Sequence, residues 1–170
     1  GWFALAVLCS LAAGGLADEG ANWHRWRGPL ATGSSPAADP PLNWSEEENV
    51  RWKVPLPGRG HSTPIVWGDR IFLLTAVPYR SDGGLVWRKT VYRGLPHEGG
   101  HYTGSLASAS PVTDGERVFA FFGSHGLYCL DWEGELLWQA EFGRMQSKHG
   151  HGEGASRALH GDLLVVNWDH

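Results

Sequence analysis

Cysteine and methionine are scarce in this chain of 170 residues, which has two of the first and one of the second. Because Cys9 falls in an N-terminal apolar run, the rest of the chain keeps only Cys129, and no intrachain disulfide can form there. Stability must come from packing rather than covalent staples. An excess of positive charge is lacking too: 14 Lys and Arg stand against 18 Asp and Glu, a formal net charge of -4. This excludes nucleic acid as a partner, since binding it needs a basic footprint that displaces counterions. Helical hydrophobic periodicity longer than a turn is absent. Long apolar runs are limited to Trp2 to Leu16, which is too short and too glycine-rich to span a bilayer comfortably.

That run carries no charge and ends at Gly15-Leu16-Ala17 just before Asp18, a small-x-small pattern that suits signal peptidase. Residues 1–17 thus read as a cleavable signal peptide, which places the protein in the periplasm or outside a bacterial cell with no membrane span after cleavage. Acylation at Cys9 would want a small residue before it, and Leu8 is bulky. What the chain has in abundance is 24 glycines, 10 tryptophans and nine histidines. Frequent turns combined with many aromatics predict short strands.

Three segments repeat. Ser62 to Leu74 aligns with Ala109 to Phe121 when Pro64 is laid on Pro111, 47 residues on, and Gly68 then falls on Gly115. The third copy, Ala155 to Val166, places Gly161 in phase and Arg157 where the earlier copies have proline. Trp52, Trp87 and Trp138 recur in the strand that closes each unit. In the middle copy, Pro111 to Thr113 predicts a short strand and Asp114-Gly115-Glu116 a tight turn. Arg117 to Phe122 predicts the return strand, Leu127 to Leu130 a third and Glu135 to Phe142 a fourth. Four antiparallel strands every 40 to 50 residues or so are the pattern of a propeller blade, which needs stacked neighbours to bury its faces. A β-sandwich is the competing fold, but it gives no reason for Pro, Gly and Trp to repeat in register.

With these motifs, the chain resembles the bacterial pyrroloquinoline quinone (PQQ) binding-like β-propeller repeat proteins, both quinoprotein-like and outer-membrane assembly lipoprotein-like. The resemblance covers about residues 22–170, through Asn22 to Pro29, Asn49 to Lys53, Gly58 to Pro64, Ser110 to Arg117 and Gly126 to Asp131. It implies an all-β, incomplete propeller of four-stranded antiparallel sheets: about two blades plus the start of a third, preceded by the signal peptide. The resulting division is an irregular segment over 18–48, a closing strand of the last blade over 49–57, a shortened first blade over 58–94, a second over 105–142, and a truncated third over 155–170. In the first blade only Ala76 to Gly84 separates the second strand from the fourth, too little for a third strand with two turns. Quinoprotein dehydrogenases carry an A-x-D-x-x-T-G-K-x-x-W docking repeat. Here Asp131 to Trp138 lacks its Thr and is one residue shorter, and one cysteine cannot form the vicinal disulfide that often faces the quinone. No cofactor is expected on these grounds, with PQQ or a divalent metal as the alternatives.

If the Asp114-Gly115 turn lies at one face, the loops leading into each first strand and the turns between second and third strands lie at the other. His61, His97, Glu98, His101, His125, His149, His151, Glu153, Asp169 and His170 then share one rim, while His160 maps to the opposite face. Such a cluster suits metal ligation or acid–base chemistry, because imidazole titrates near neutrality. None of the spacings is a recognised zinc motif, and hydrogen bonding among the loops is the bland alternative. Trp52, Trp87 and Trp138 are expected to pack between blades, with Pro64, Gly68, Pro111, Gly115 and Gly161 as structural markers. Trp67 and Trp132 fall in turns and are expected to be exposed. Without a nucleophile–base set or phosphate loop, the expected function is a non-catalytic scaffold, monomeric when full length, binding a protein, peptide or polysaccharide at the rim. The alternative is a quinoprotein-like or metal-dependent oxidoreductase acting on alcohols or sugars.

Overall fold

The computed structural model describes residues 2–9, 21–35, 38–56, 58, 60–76, 85–94, 105, 107–146, 153, 157–160 and 162–168. Among them are ten strands and no α-helix. The strands are β1 (Trp2–Cys9), β2 (Ile65–Trp67), β3 (Arg70–Ala76), β4 (Leu85–Arg93), β5 (Val112–Thr113), β6 (Arg117–Phe121), β7 (Leu127–Asp131), β8 (Leu136–Ala140), β9 (Ala158–His160) and β10 (Leu163–Val165). They form a sheet ordered β2-β3-β1-β4, a sheet ordered β5-β6-β7-β8, and the hairpin β9-β10.

The second sheet follows the sequence pattern closely. Asp114 accepts hydrogen bonds from the backbone N–H groups of Glu116 and Arg117, and Gly115 takes a φ of 93°, so the chain reverses where only glycine is comfortable. Asp131 holds the next turn in the same way through the N–H groups of Glu133 and Glu135. Between them, β6 and β7 are joined by a short 3-10 segment, Gly123–His125. The Pro64, Pro111 and Arg157 positions each directly precede an equivalent strand, β2, β5 and β9.

Alternation along the strands sets two cores. Val118, Ala120, Tyr128 and Leu130 face the first sheet, where they pack with Ile65, Phe72 and Leu74. Phe119, Phe121, Leu127 and Cys129 face the other way, against Leu159, Leu164, Val166 and Trp168 of the third unit. The sheets therefore stack face to face in sequence order.

The first sheet departs from the expectation of a blade lacking its third strand. β1 lies between β3 and β4, antiparallel to both, with Leu5 opposite Leu74 and Lys89. This is the slot that β7 fills between β6 and β8. An eight-residue strand is long enough to fill this slot, which would otherwise leave two ladders open.

The segment expected to be irregular, 18–48, shows one isolated bridge among its described residues, Trp23 to Val66. It nonetheless ties the inner strands of all three units together. The carbonyl of Trp23 accepts from Val66 N–H at 2.8 Å, that of His24 from Thr113 N–H at 3.1 Å, and Arg25 donates to the carbonyl of Leu159 at 3.4 Å. In the 49–57 region the described residues form no strand, and Trp52 is 47 % exposed.

Candidate functional site

The two ends of the stacked sheets differ in chemistry. At the end where β2 and β5 begin, adjacent units hydrogen-bond through their lead-in loops. Thr63 N–H donates to Ser110 Oγ at 3.1 Å, one repeat away, and His61 N–H to Ala107 O and Ser105 Oγ. Leu74 N–H is held by Ser62 Oγ at 3.2 Å. His61, His125 and Glu153 are the proposed rim residues that the structure describes, and all three belong to this end. His97, Glu98, His101, His149, His151, Asp169 and His170 lie outside the described residues, as does Gly161.

Of the three, His125 and Glu153 come close together, on either side of Ser124, and both are engaged. The imidazole of His125 stacks on Tyr92 of the first sheet, with centroids 4.1 Å apart and planes at 28°. Its carbonyl accepts from the Tyr128 hydroxyl at 2.6 Å. The Tyr128 phenol is pushed above its ordinary pKa chiefly by burial. Both carboxylate oxygens of Glu153 accept from Ser124, one from its backbone N–H and one from its hydroxyl. Ser124 Oγ in turn accepts from Met145 N–H at 2.6 Å. Among the described residues no group of three or more His, Cys, Asp or Glu side chains is arranged to hold a metal ion.

The opposite end carries a cleft of about 560 Å³ that the sequence reading passed over. His24, Arg25 and Leu30 of the N-terminal segment form one wall; the turns bearing Trp67, Asp114, Arg117, His160 and Asp162 form the other. His160 is the last residue of β9, opposite Leu163, rather than part of the turn itself. Arg117 is committed to Asp114, whose carboxylate is 2.8 Å away and raises its pKa. This ion pair thus braces the β5–β6 turn.

Trp67 and Trp132 correct the expectation that they are exposed. Both are half-buried and pack against the core between the first two sheets. Trp132 lies 5.0 Å from Phe72, and its carbonyl accepts from Arg70 and from Trp87 Nε1. The physical reason is that turns of one unit land on tryptophans of the unit before. An added Cβ on Gly115 would sit 2.4 Å from the Trp67 ring, and one on Gly134 2.5 Å from the Trp87 ring. Trp87 packs against the core between the first two sheets, whereas Trp138, near Phe119 at 6.0 Å, is 42 % exposed.

Sequence reasoning also missed Arg157. It is buried at the start of β9 with its guanidinium 3.7 Å from the centroid of the Phe121 ring. The signal was present in the repeat, as the departure from proline.

Residues 43–167 match the model of the PQQ_2 family, described as Outer membrane protein assembly factor BamB. The chain belongs to this family. No match was found among curated proteins or among solved structures. Within the matched residues of this PQQ-like repeat protein, the second sheet is a complete four-stranded antiparallel unit. Among the described residues, Cys129 is fully buried within β7, and Phe121, Phe142 and Trp168 tilt against one another. No described helix is long and apolar enough to cross a membrane.

Proposed function

We propose that this PQQ-repeat protein is an exported, non-catalytic binding or assembly scaffold whose rim holds a protein, an extended peptide or a polysaccharide outside the cytoplasm, without quinone or metal. The observation that carries the reading is the match over residues 43–167 to a family described by an outer-membrane assembly factor. The chemistry at this end is in keeping with it: the His125 ring lies against Tyr92, and the Glu153 carboxylate fastens the Ser124 loop. The apolar N-terminal run supports export, and a processed protein beginning at Asp18, read by N-terminal sequencing, would agree with it.

The deciding experiment gives the full chain two assays. One measures binding of a urea-denatured β-barrel outer-membrane protein diluted into buffer. The other measures dye reduction with added PQQ and Ca²⁺ on primary alcohols and aldoses. Saturable binding without turnover is expected. Dye reduction that depends on PQQ would establish the oxidoreductase instead.

A further inference from the structure

Arg157 stands where Pro64 and Pro111 stand in the earlier repeats. Proline there brings no side-chain donor, whereas arginine brings five N–H groups in a planar fork. The residue is 4 % exposed, and Nε, Nη1 and Nη2 have no hydrogen-bond partner. Desolvation alone pulls its pKa down to about 9. Its guanidinium lies over the Phe121 ring, which itself meets Trp168 at 6.1 Å and Phe142 at 6.2 Å. A cation–π contact offsets only part of the desolvation of a buried guanidinium. Glu153, four residues earlier, directs its carboxylate to Ser124, and no hydrogen bond joins it to Arg157.

We propose that Arg157 anchors a binding site for a monocarboxylate with an apolar body, at the rim between the second sheet and the third unit. A carboxylate matches the fork with two parallel hydrogen bonds, and its single charge neutralises the single cation. A phosphate dianion would leave net negative charge among Phe121, Phe142 and Trp168. Phe142 and Trp168, which lie 5.6 Å apart and are both partly exposed, provide the wall for the apolar body above the buried Phe121 ring. This deepens the scaffold reading and rests on it only for the source of the acid, since the carboxylate can belong to a small free acid or to the C-terminus of a peptide.

The test titrates the full chain, with ¹⁵N-labelled arginine, against 4-phenylbutyrate, its neutral amide, inorganic phosphate, and one short peptide with a free or an amidated C-terminus. Phenylbutyrate is expected to bind at least tenfold more tightly than its amide or phosphate and to shift one arginine Nε resonance. Arg157→Pro, which restores the repeat residue, and Arg157→Leu should abolish that binding, and Arg157→Lys should weaken it about tenfold. A free-terminus peptide binding more tightly than phenylbutyrate, and than its amide, assigns a peptide source; otherwise the source is a small acid. Equal binding of acid and amide, tighter binding of phosphate, or undiminished binding in folded Arg157→Leu would overturn the proposal. The labelled wild-type titration decides the matter if the variants do not fold. Dye reduction by PQQ would sink the scaffold reading while leaving these titrations unaffected.

Discussion

Trp87 and Trp138 hold the same place in successive repeats but have different surroundings. Trp87 is covered by the Gly134 turn of the next unit and donates to Trp132 O at 2.9 Å, while Trp138 is exposed. Truncation should therefore differ: Trp87→Ala is expected to lower stability by about 3 kcal/mol and Trp138→Ala by about 1 kcal/mol, read by urea denaturation. Equal losses would contradict the account. Cys129, fully buried, has its thiol pKa pushed up to about 11, chiefly by burial. Its unfolded thiol ionises near pH 9 while the folded one keeps its proton, so the folded state loses ground as pH rises from about 9 to about 11. The Cys129→Ala variant should lack that decline, and wild-type Cys129 should resist iodoacetamide at pH 8 until denatured. The covering of Trp67 and Trp132 was not legible in the sequence, because the glycine turns and rings that meet them belong to a neighbouring unit.

The second sheet was readable at the level of elements because local chemistry specifies it. Asp114-Gly115 and Asp131 to Gly134 fix two turns, and β-branched and aromatic residues fill the strands between. The first sheet was readable only in part, since its third strand comes from the far N-terminus rather than from the chain between β3 and β4. The same residues, Trp2–Cys9, are the apolar core of the expected signal peptide, and removing them opens the slot between β3 and β4. A chain starting at Asp18 should then exchange the amides of β3 and β4 faster, with β6 and β7 still protected, by hydrogen exchange measured against the full chain. Unchanged protection of β3 and β4 would show that β1 does not complete this sheet.

For the whole molecule, stacking of successive units is the source of stability, and surfaces without a stacked neighbour remain open. Leu42, Trp44, Trp52 and Leu56 are exposed along the N-terminal segment, and Leu163 and Val165 on the third unit. Residues 18–170 alone are accordingly expected to melt without a sharp, concentration-independent transition. A reversible cooperative melt of a monomer would contradict this. The repeat made the order of units legible, but the rim chemistry was only partly so: phase places His61 and His125 at one end, yet it does not reveal that Tyr92 stacks on one of them.

Docking of one unit's glycine turn onto the preceding unit's tryptophan is tested most directly by a double-mutant cycle of Trp87→Ala and Gly134→Ala in the full chain. Because Gly134 has a φ of 86°, alanine there is strained in either background, and the steric clash with the ring adds to that strain only when Trp87 is present. The expected result is that Gly134→Ala lowers stability by at least about 1 kcal/mol more with Trp87 than without it. Additivity of the two substitutions within about 0.5 kcal/mol would mean that the turn and the ring do not meet.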